Sequence, residues 1–170
     1  LRSARQMLTD QPDAAAFEWR VRNTWVHGTH STSTCHEFFG LGADQAHRST
    51  FRFDTDHPEV FASEDHGATP TEVVLAALAG CLTAGVAAVA QQRDIQLRSV
   101  TATVTARSDV RGVLGIDADV RNGFSRVDVA YDIDADASDA DIAALVAQSQ
   151  KRSAVFDIVT NPTNVAVEVR

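Results

Sequence analysis

Cysteine is nearly missing from this chain of 170 residues: Cys35 and Cys81 are the only two. They fit neither a disulfide framework nor the paired spacing of a zinc finger, so a reducing compartment, the cytoplasm, is expected. Positive charge is also scarce. Fifteen Lys and Arg against 23 Asp and Glu leave a net charge of −8 and a pI near 5.1, and the basic residues are scattered. Nucleic acid and anionic membranes are therefore not expected as partners. No signal peptide is visible after Leu1. The one long uncharged run, residues 73–90, lacks the marks of a bilayer span. It is built of Ala and Gly more than Leu, Ile and Phe, and neither an aromatic belt nor a basic flank frames it. A helix buried in a soluble protein is expected there, and no membrane. Internal repeats and low-complexity tracts are absent too.

What is present describes one globular domain. Hydrophobic content of 44% and charged content of 22% suit a soluble fold with a real core. Residues 1–16 are polar and Ala-rich with Pro12, and read as a loose helix or arm before a single domain over 17–170. From Phe17 polar and apolar residues alternate, in Glu18-Trp19-Arg20-Val21-Arg22 and again in Thr50-Phe51-Arg52-Phe53-Asp54, which is a strand signal. Gly40-Leu41-Gly42-Ala43-Asp44 reads as the turn between them. Thr69 is a candidate N-cap, with Pro70 at the first position of a helix running to about Gln92. Two alternating strands follow, over 100–106 and 126–133, joined by a glycine-punctuated loop over 109–123. Ser138-Asp139-Ala140-Asp141 opens a second helix whose inner face is Ile142, Leu145, Val146 and Ser149. Asn161-Pro162 makes a turn, and Val165-Ala166-Val167-Glu168-Val169 alternates as a last strand.

The first helix carries Cys81. With almost nothing but Ala, Val, Leu and Gly it has no polar face, so burial on all sides is expected. Ala76, Gly80 and Ala84 make a flat strip against which another backbone can pack. A thiol in that setting is either an inert small hydrophobe or a shielded nucleophile.

Four pieces in this order resemble the osmotically inducible protein C and organic hydroperoxide resistance (OsmC/Ohr) family. They are Pro70-Thr71-Glu72 through Ala79-Gly80-Cys81-Leu82, Asp109-Val110-Arg111-Gly112, Ser138-Asp139-Ala140-Asp141, and Ser153-Ala154-Val155 before Asn161-Pro162. The resemblance spans about Phe17 to Arg170. It implies an α+β fold of antiparallel sheets around a long central helix, an intertwined homodimer, and thiol-dependent reduction of organic hydroperoxides without a cofactor. It makes Cys81 the peroxidatic residue and Glu72 its helper. Two departures stand out. Where the peroxidase members carry a second, resolving cysteine followed by Pro, this chain has Ser153 and Ala154. Where the hydroperoxide-resistance branch has its catalytic glutamate, directly after the helix proline, this chain has Thr71, with Glu72 one place later.

The chemistry sets its own terms. A thiolate attacks one peroxide oxygen, and a Cys of ordinary pKa is only a few per cent ionised at neutral pH, less when buried. A nearby cation is the expected remedy. Arg111, acting on a partner subunit's Cys81, is one candidate; Arg20, Arg22, Arg48 and Arg52 are others. An apolar wall of Val74, Leu78 and Leu82 would favour organic substrates. The sulfenic acid left behind needs a thiol. Ser153 cannot supply it, so the resolving thiol is either Cys35 or an external reductant. The alternative function is a non-catalytic dimer that binds an apolar small molecule in an interface pocket.

Other patterns carry less. His27, His30 and His36 beside Cys35 look like metal ligands, but along one strand His27 and His30 would face opposite ways, so no metal is expected. Asp132, Asp134 and Asp136 start like a calcium loop, yet Ala137 and Ala143 stand where Gly and Glu are required. Glu72 lies about half a turn from the face of Cys81 and reads as a first-turn partner of the helix dipole.

Overall fold

The structure is a computed structural model that describes residues 2–169. It is an α+β chain of two compact units, Leu1–Val73 and Val74–Arg170. The first unit opens with α1 (Arg2–Asp10) and a 3-10 turn at Pro12–Ala15. Four strands follow: β1 (Glu18–Trp19), β2 (Arg22–His27), β3 (His30–Gly40) and β4 (Ala43–Thr55). β3 pairs antiparallel with β1 and β2 along one edge and with β4 along the other. At the β3–β4 turn Leu41 and Gly42 both take positive φ, 56° and 79°, the signature of a two-residue hairpin turn.

The β2–β3 turn corrects one expectation. His27 and His30 do not alternate along a single strand. Gly28, at φ 50°, and Thr29 reverse the chain, so His27 and His30 are cross-strand partners on the same side.

Residues 56–69 then lead to α2 (Pro70–Gln92). Asp56 organises this connection. It is 1% exposed and accepts hydrogen bonds from the hydroxyls of Thr29 and Ser63 and from the backbone N–H of His57 and His66. Gly67 lies so close to the Asp54 carbonyl that no Cβ would fit, and Thr55 bridges Ala68 in parallel. α2 starts as the sequence predicts. Thr69 and Glu72 form a reciprocal capping box: the Thr69 N–H donates to the Glu72 carboxylate at 2.8 Å, and the Glu72 N–H donates to Thr69 Oγ1 at 3.2 Å.

The second unit holds most of α2, the hairpin β5 (Leu97–Arg107) and β6 (Arg126–Ala135), and three further helices. These are α3 (Val110–Val113), α4 (Asp139–Arg152) and α5 (Ala154–Thr160). Its core is Val86, Val89 and Ala90 of α2 against Leu145 of α4, with Ile95, Leu97, Val100, Tyr131, Ile133 and Val146 packed around them. α4 meets α2 closely where Gly85 faces Ser149. A Cβ at Gly85 would collide with the Ser149 side chain, whose hydroxyl donates to the Leu82 carbonyl at 2.5 Å. Gly85→Ala is accordingly expected to destabilise the fold by about 1–3 kcal/mol, the usual cost of overpacking, measured as a lower urea midpoint.

Three expectations change. α2 is not buried on all sides within one chain: Leu78, Leu82, Val86, Val89 and Ala90 are inside, while Val74, Ala76, Ala77, Gly80, Ala84 and Ala87 stand exposed. α5 appears where no helix was expected, capped by Ser153. The last strand does not form. Val165, Val167 and Val169 are 81%, 89% and 101% exposed, because alternation alone makes no strand without a neighbouring edge to pair with.

Candidate functional site

Cys81 lies in the middle of α2 and is half-buried. The residue opposite its sulfur is Ser153, in the single-residue joint between α4 and α5. Ser153 is 6% exposed and makes two contacts with one hydroxyl. Its Oγ accepts from the Phe156 N–H at 3.1 Å, which caps α5, and its O–H donates to Cys81 Sγ at 3.1 Å.

The backbone N–H groups of Val155 and Ala154, the first residues of α5, also bear on the sulfur. Burial pushes the thiol up; the Ser153 hydroxyl, then the Val155 and Ala154 N–H groups, outweigh it, and the net direction is down. Among residues 74–169 no cation bears on Cys81, and hydrogen-bond donors at a helix start favour the anion.

The other sequence candidates are placed as follows. Arg111 follows the Asp109 cap of α3, holds the Asp109 carboxylate through both Nε (3.0 Å) and Nη2 (2.6 Å), and reaches Asp117 at 3.5 Å. Its charge is thus shared by two carboxylates at an exposed turn. Glu72 sits about two and a half turns before Cys81 on α2 and spends its carboxylate on Thr69. Those bonds, first from the Thr69 N–H and then from its hydroxyl, hold Glu72 below the usual carboxylate range. Cys35 is in β3 of the first unit, opposite Phe51, half-buried and with a free thiol. Of the expected apolar wall, Leu78 and Leu82 are buried and Val74 is 43% exposed. Asp132 and Asp134 lie on β6, Asp134 bound to Arg98, and Asp136 follows the strand on the way to the Ser138 cap.

Sequence reasoning named Ser153 only as a missing cysteine. Its role as a cap was legible: a Ser directly after Lys151-Arg152, with Asp157 in the next turn, is a helix end meeting a helix start.

Solved structures share this arrangement of elements. An OsmC-like protein of Mycoplasma pneumoniae superposes with a TM-score of 0.65 at 16% identity, over 85% of this chain and 89% of that one. An OsmC-like protein of Vibrio cholerae gives 0.62 at 9% identity, over 82% and 92%. An organic hydroperoxide resistance protein of Legionella pneumophila gives 0.58 at 18% identity, over 85% and 90%. None of the curated proteins matches the sequence. The family model described as OsmC-like protein matches residues 63–168, more than half of the chain and all of the Cys81–Ser153 site. The chain belongs to the OsmC-like protein family.

Proposed function

We propose that this protein reduces organic hydroperoxides with Cys81 as its one peroxidatic thiol and an external thiol as the resolving reductant. The observation that carries the reading is the Ser153 O–H at 3.1 Å from the sulfur, backed by the Val155 and Ala154 N–H groups. Donors placed there favour the thiolate. The thiolate attacks one peroxide oxygen, the O–O bond breaks, and the leaving alkoxide takes a proton to depart as an alcohol. Cys81 is left as a sulfenic acid. A first external thiol condenses with it, releasing water and leaving a mixed disulfide; a second thiol frees Cys81, and the two thiols, having supplied both electrons, leave as a disulfide.

The working unit in this proposal is a cytoplasmic homodimer. Its support is the apolar stripe of α2 from Val74 to Ala87 that one chain leaves exposed. Trp25, Phe51 and Phe53 of the first sheet, 71%, 56% and 37% exposed, are further apolar surface in need of cover.

The test is mass spectrometry after one equivalent of cumene hydroperoxide. A single oxygen on the Cys81 peptide, trapped by a dimedone-type probe, is expected; an unmodified Cys81 ends the proposal. In that event, retention of an apolar fluorescent ligand would favour the second reading, a non-catalytic binding dimer, for which the missing second cysteine argues. A further expectation concerns pH. Because folding lowers the value of the Cys81 thiol, its thiolate persists to lower pH in the folded protein. The alkylation rate of Cys81 against pH should therefore rise at a lower pH in native protein than in urea.

A further inference from the structure

The 1–73 unit holds a second cluster of ionisable side chains, and the thiol chemistry makes no use of it. The tight Gly28-Thr29 turn sets His27 against His30, with ring centroids 5.4 Å apart and edge to face. The third ring comes from the 56–69 connection. Asp56 binds Thr29 of the turn and the His66 N–H with the same carboxylate, and Gly67 lets this segment lie on β4. His66 consequently stacks on His30, centroids 5.0 Å apart and planes 6° from parallel, and lies 5.6 Å from His27. One nitrogen from each of the three rings falls within 4.8 Å of the others.

Two details separate this cluster from a chance meeting of histidines. The first is the state of His30, whose side chain is only 12% exposed. Its Nε2 lies 2.9 Å from Asp54 Oδ1. A carboxylate oxygen accepts, so Nε2 is the donor in this contact, and in the neutral ring Nδ1 then keeps a bare lone pair. That Nδ1 is buried and has no hydrogen-bond partner, a costly condition that calls for a ligand. A carboxylate orienting an imidazole from behind is the usual outer support of a metal-bound histidine. The second detail is Glu64. A single oxygen, Oε2, lies 3.6 Å from His27 Nε2 and 3.6 Å from His66 Nδ1. Tetrahedral zinc with bonds of about 2.0–2.1 Å separates its donors by about 3.4 Å, so this oxygen already has nearly that spacing from two of the three rings.

We propose that His27, His30, His66 and Glu64 bind one zinc ion, which clamps the 56–69 connection to the β2–β3 turn. Three imidazoles and a carboxylate are a zinc-type donor set, and four protein ligands close the coordination sphere as in a structural site. His27, His66 and Glu64 are 48%, 45% and 65% exposed at their side chains, so their rings and carboxylate can turn inward without repacking a core. His36, whose Nδ1 is also buried and unpartnered, is not among the three.

The experiment uses the full, untagged chain, stripped with chelator, loaded with zinc and passed through gel filtration. One zinc per chain is expected by elemental analysis, with a higher thermal midpoint than the stripped protein. Cobalt in its place should give the visible absorption of a tetrahedral ion. Glu64→Ala is expected to lose the metal while keeping the unfolding midpoint of the stripped parent. The His66 ring Nδ1 also lies 3.5 Å from Asp56 Oδ2, so His66→Ala is expected to lose the metal and is compared with its own stripped form. Cys81→Ser should keep its zinc, which separates this site from the thiol. Zinc that washes off the parent protein, or that a His27→Ala/His66→Ala double variant retains, overturns the proposal.

Discussion

Replacing Ser153 with cysteine is expected to change the product of peroxide treatment from a singly oxygenated thiol to an internal disulfide. The Ser153 oxygen already stands 3.1 Å from Cys81 Sγ, and a disulfide needs its two sulfurs about 2 Å apart. A cysteine at this joint needs to move its sulfur by only about an ångström. In the Ser153→Cys variant, the Cys81 sulfenic acid should be captured by the introduced thiol with loss of water, leaving the chain two hydrogens lighter than the reduced protein. Turnover should then cease to depend on external monothiols for the first resolving step and come to depend on a dithiol. Ser153→Ala separates the other roles of the hydroxyl. It removes the cap of α5, at about 1 kcal/mol of stability. It also removes the strongest donor to the sulfur, a hydrogen bond worth about 1 kcal/mol, or several-fold in the thiolate fraction at neutral pH. If the Ser153→Cys variant keeps the thiols at both positions free after peroxide, the residue is not placed to resolve Cys81, and the reading of Ser153 as a vacated resolving position fails with it.

The same residue shows what a sequence can and cannot disclose. The start of α2 was legible because capping is local: Thr69, Pro70 and Glu72 contain all the groups that their hydrogen bonds join. The opening of α4 at Ser138 and Asp141 was legible for the same reason. The 3.1 Å contact between Ser153 and Cys81 was not, since it depends on how α4 and α5 fold back on α2, and no short window contains that information. The donors that bear on the thiol were missed for the same reason. A cation is the simplest way to favour a thiolate, and the hydrogen-bond donors of Ser153 and the first turn of α5 are a second way that only the fold reveals.

His27 and His30 illustrate a different failure. Trp25-Val26-His27 and His30-Ser31-Thr32 look like one alternating run unless Gly28-Thr29 is recognised as a turn. Once it is, the two rings move from opposite faces to the same one. The terminal Val165-Ala166-Val167-Glu168-Val169 errs the other way: the alternation is real, but a strand exists only when another edge pairs with it. Burial of α2 is similar. Its composition asks for cover on every side, and a single chain provides cover on one.

Asp56→Asn is expected to be the most damaging polar substitution in the 1–73 unit. The Asp56 carboxylate takes four donors at once, two hydroxyls and two backbone N–H groups, from Thr29, Ser63, His57 and His66. An amide offers only one oxygen and turns N–H groups of its own toward those donors, leaving at least one buried donor unpaired. Asp56 is held far below the usual carboxylate range, first by the Ser63 hydroxyl, then by Thr29 and the His66 and His57 N–H groups, against the opposing effect of burial. The sign of the pH effect follows. A group whose folded value is depressed stabilises the fold fully above its unfolded value, near pH 4 for Asp, and loses that contribution as pH falls toward its folded value. The stability gap between parent and Asp56→Asn should therefore be widest near neutral pH and narrow steadily below about pH 4. Hydrogen exchange localises the effect: the amides of His57 and His66 should be protected in the parent and exchange at loop rates in the variant. Urea midpoints that differ by the same amount at neutral and at strongly acid pH would show that Asp56 contributes shape but no charge. Protected His57 and His66 amides in the variant would show that the connection before α2 does not depend on this carboxylate.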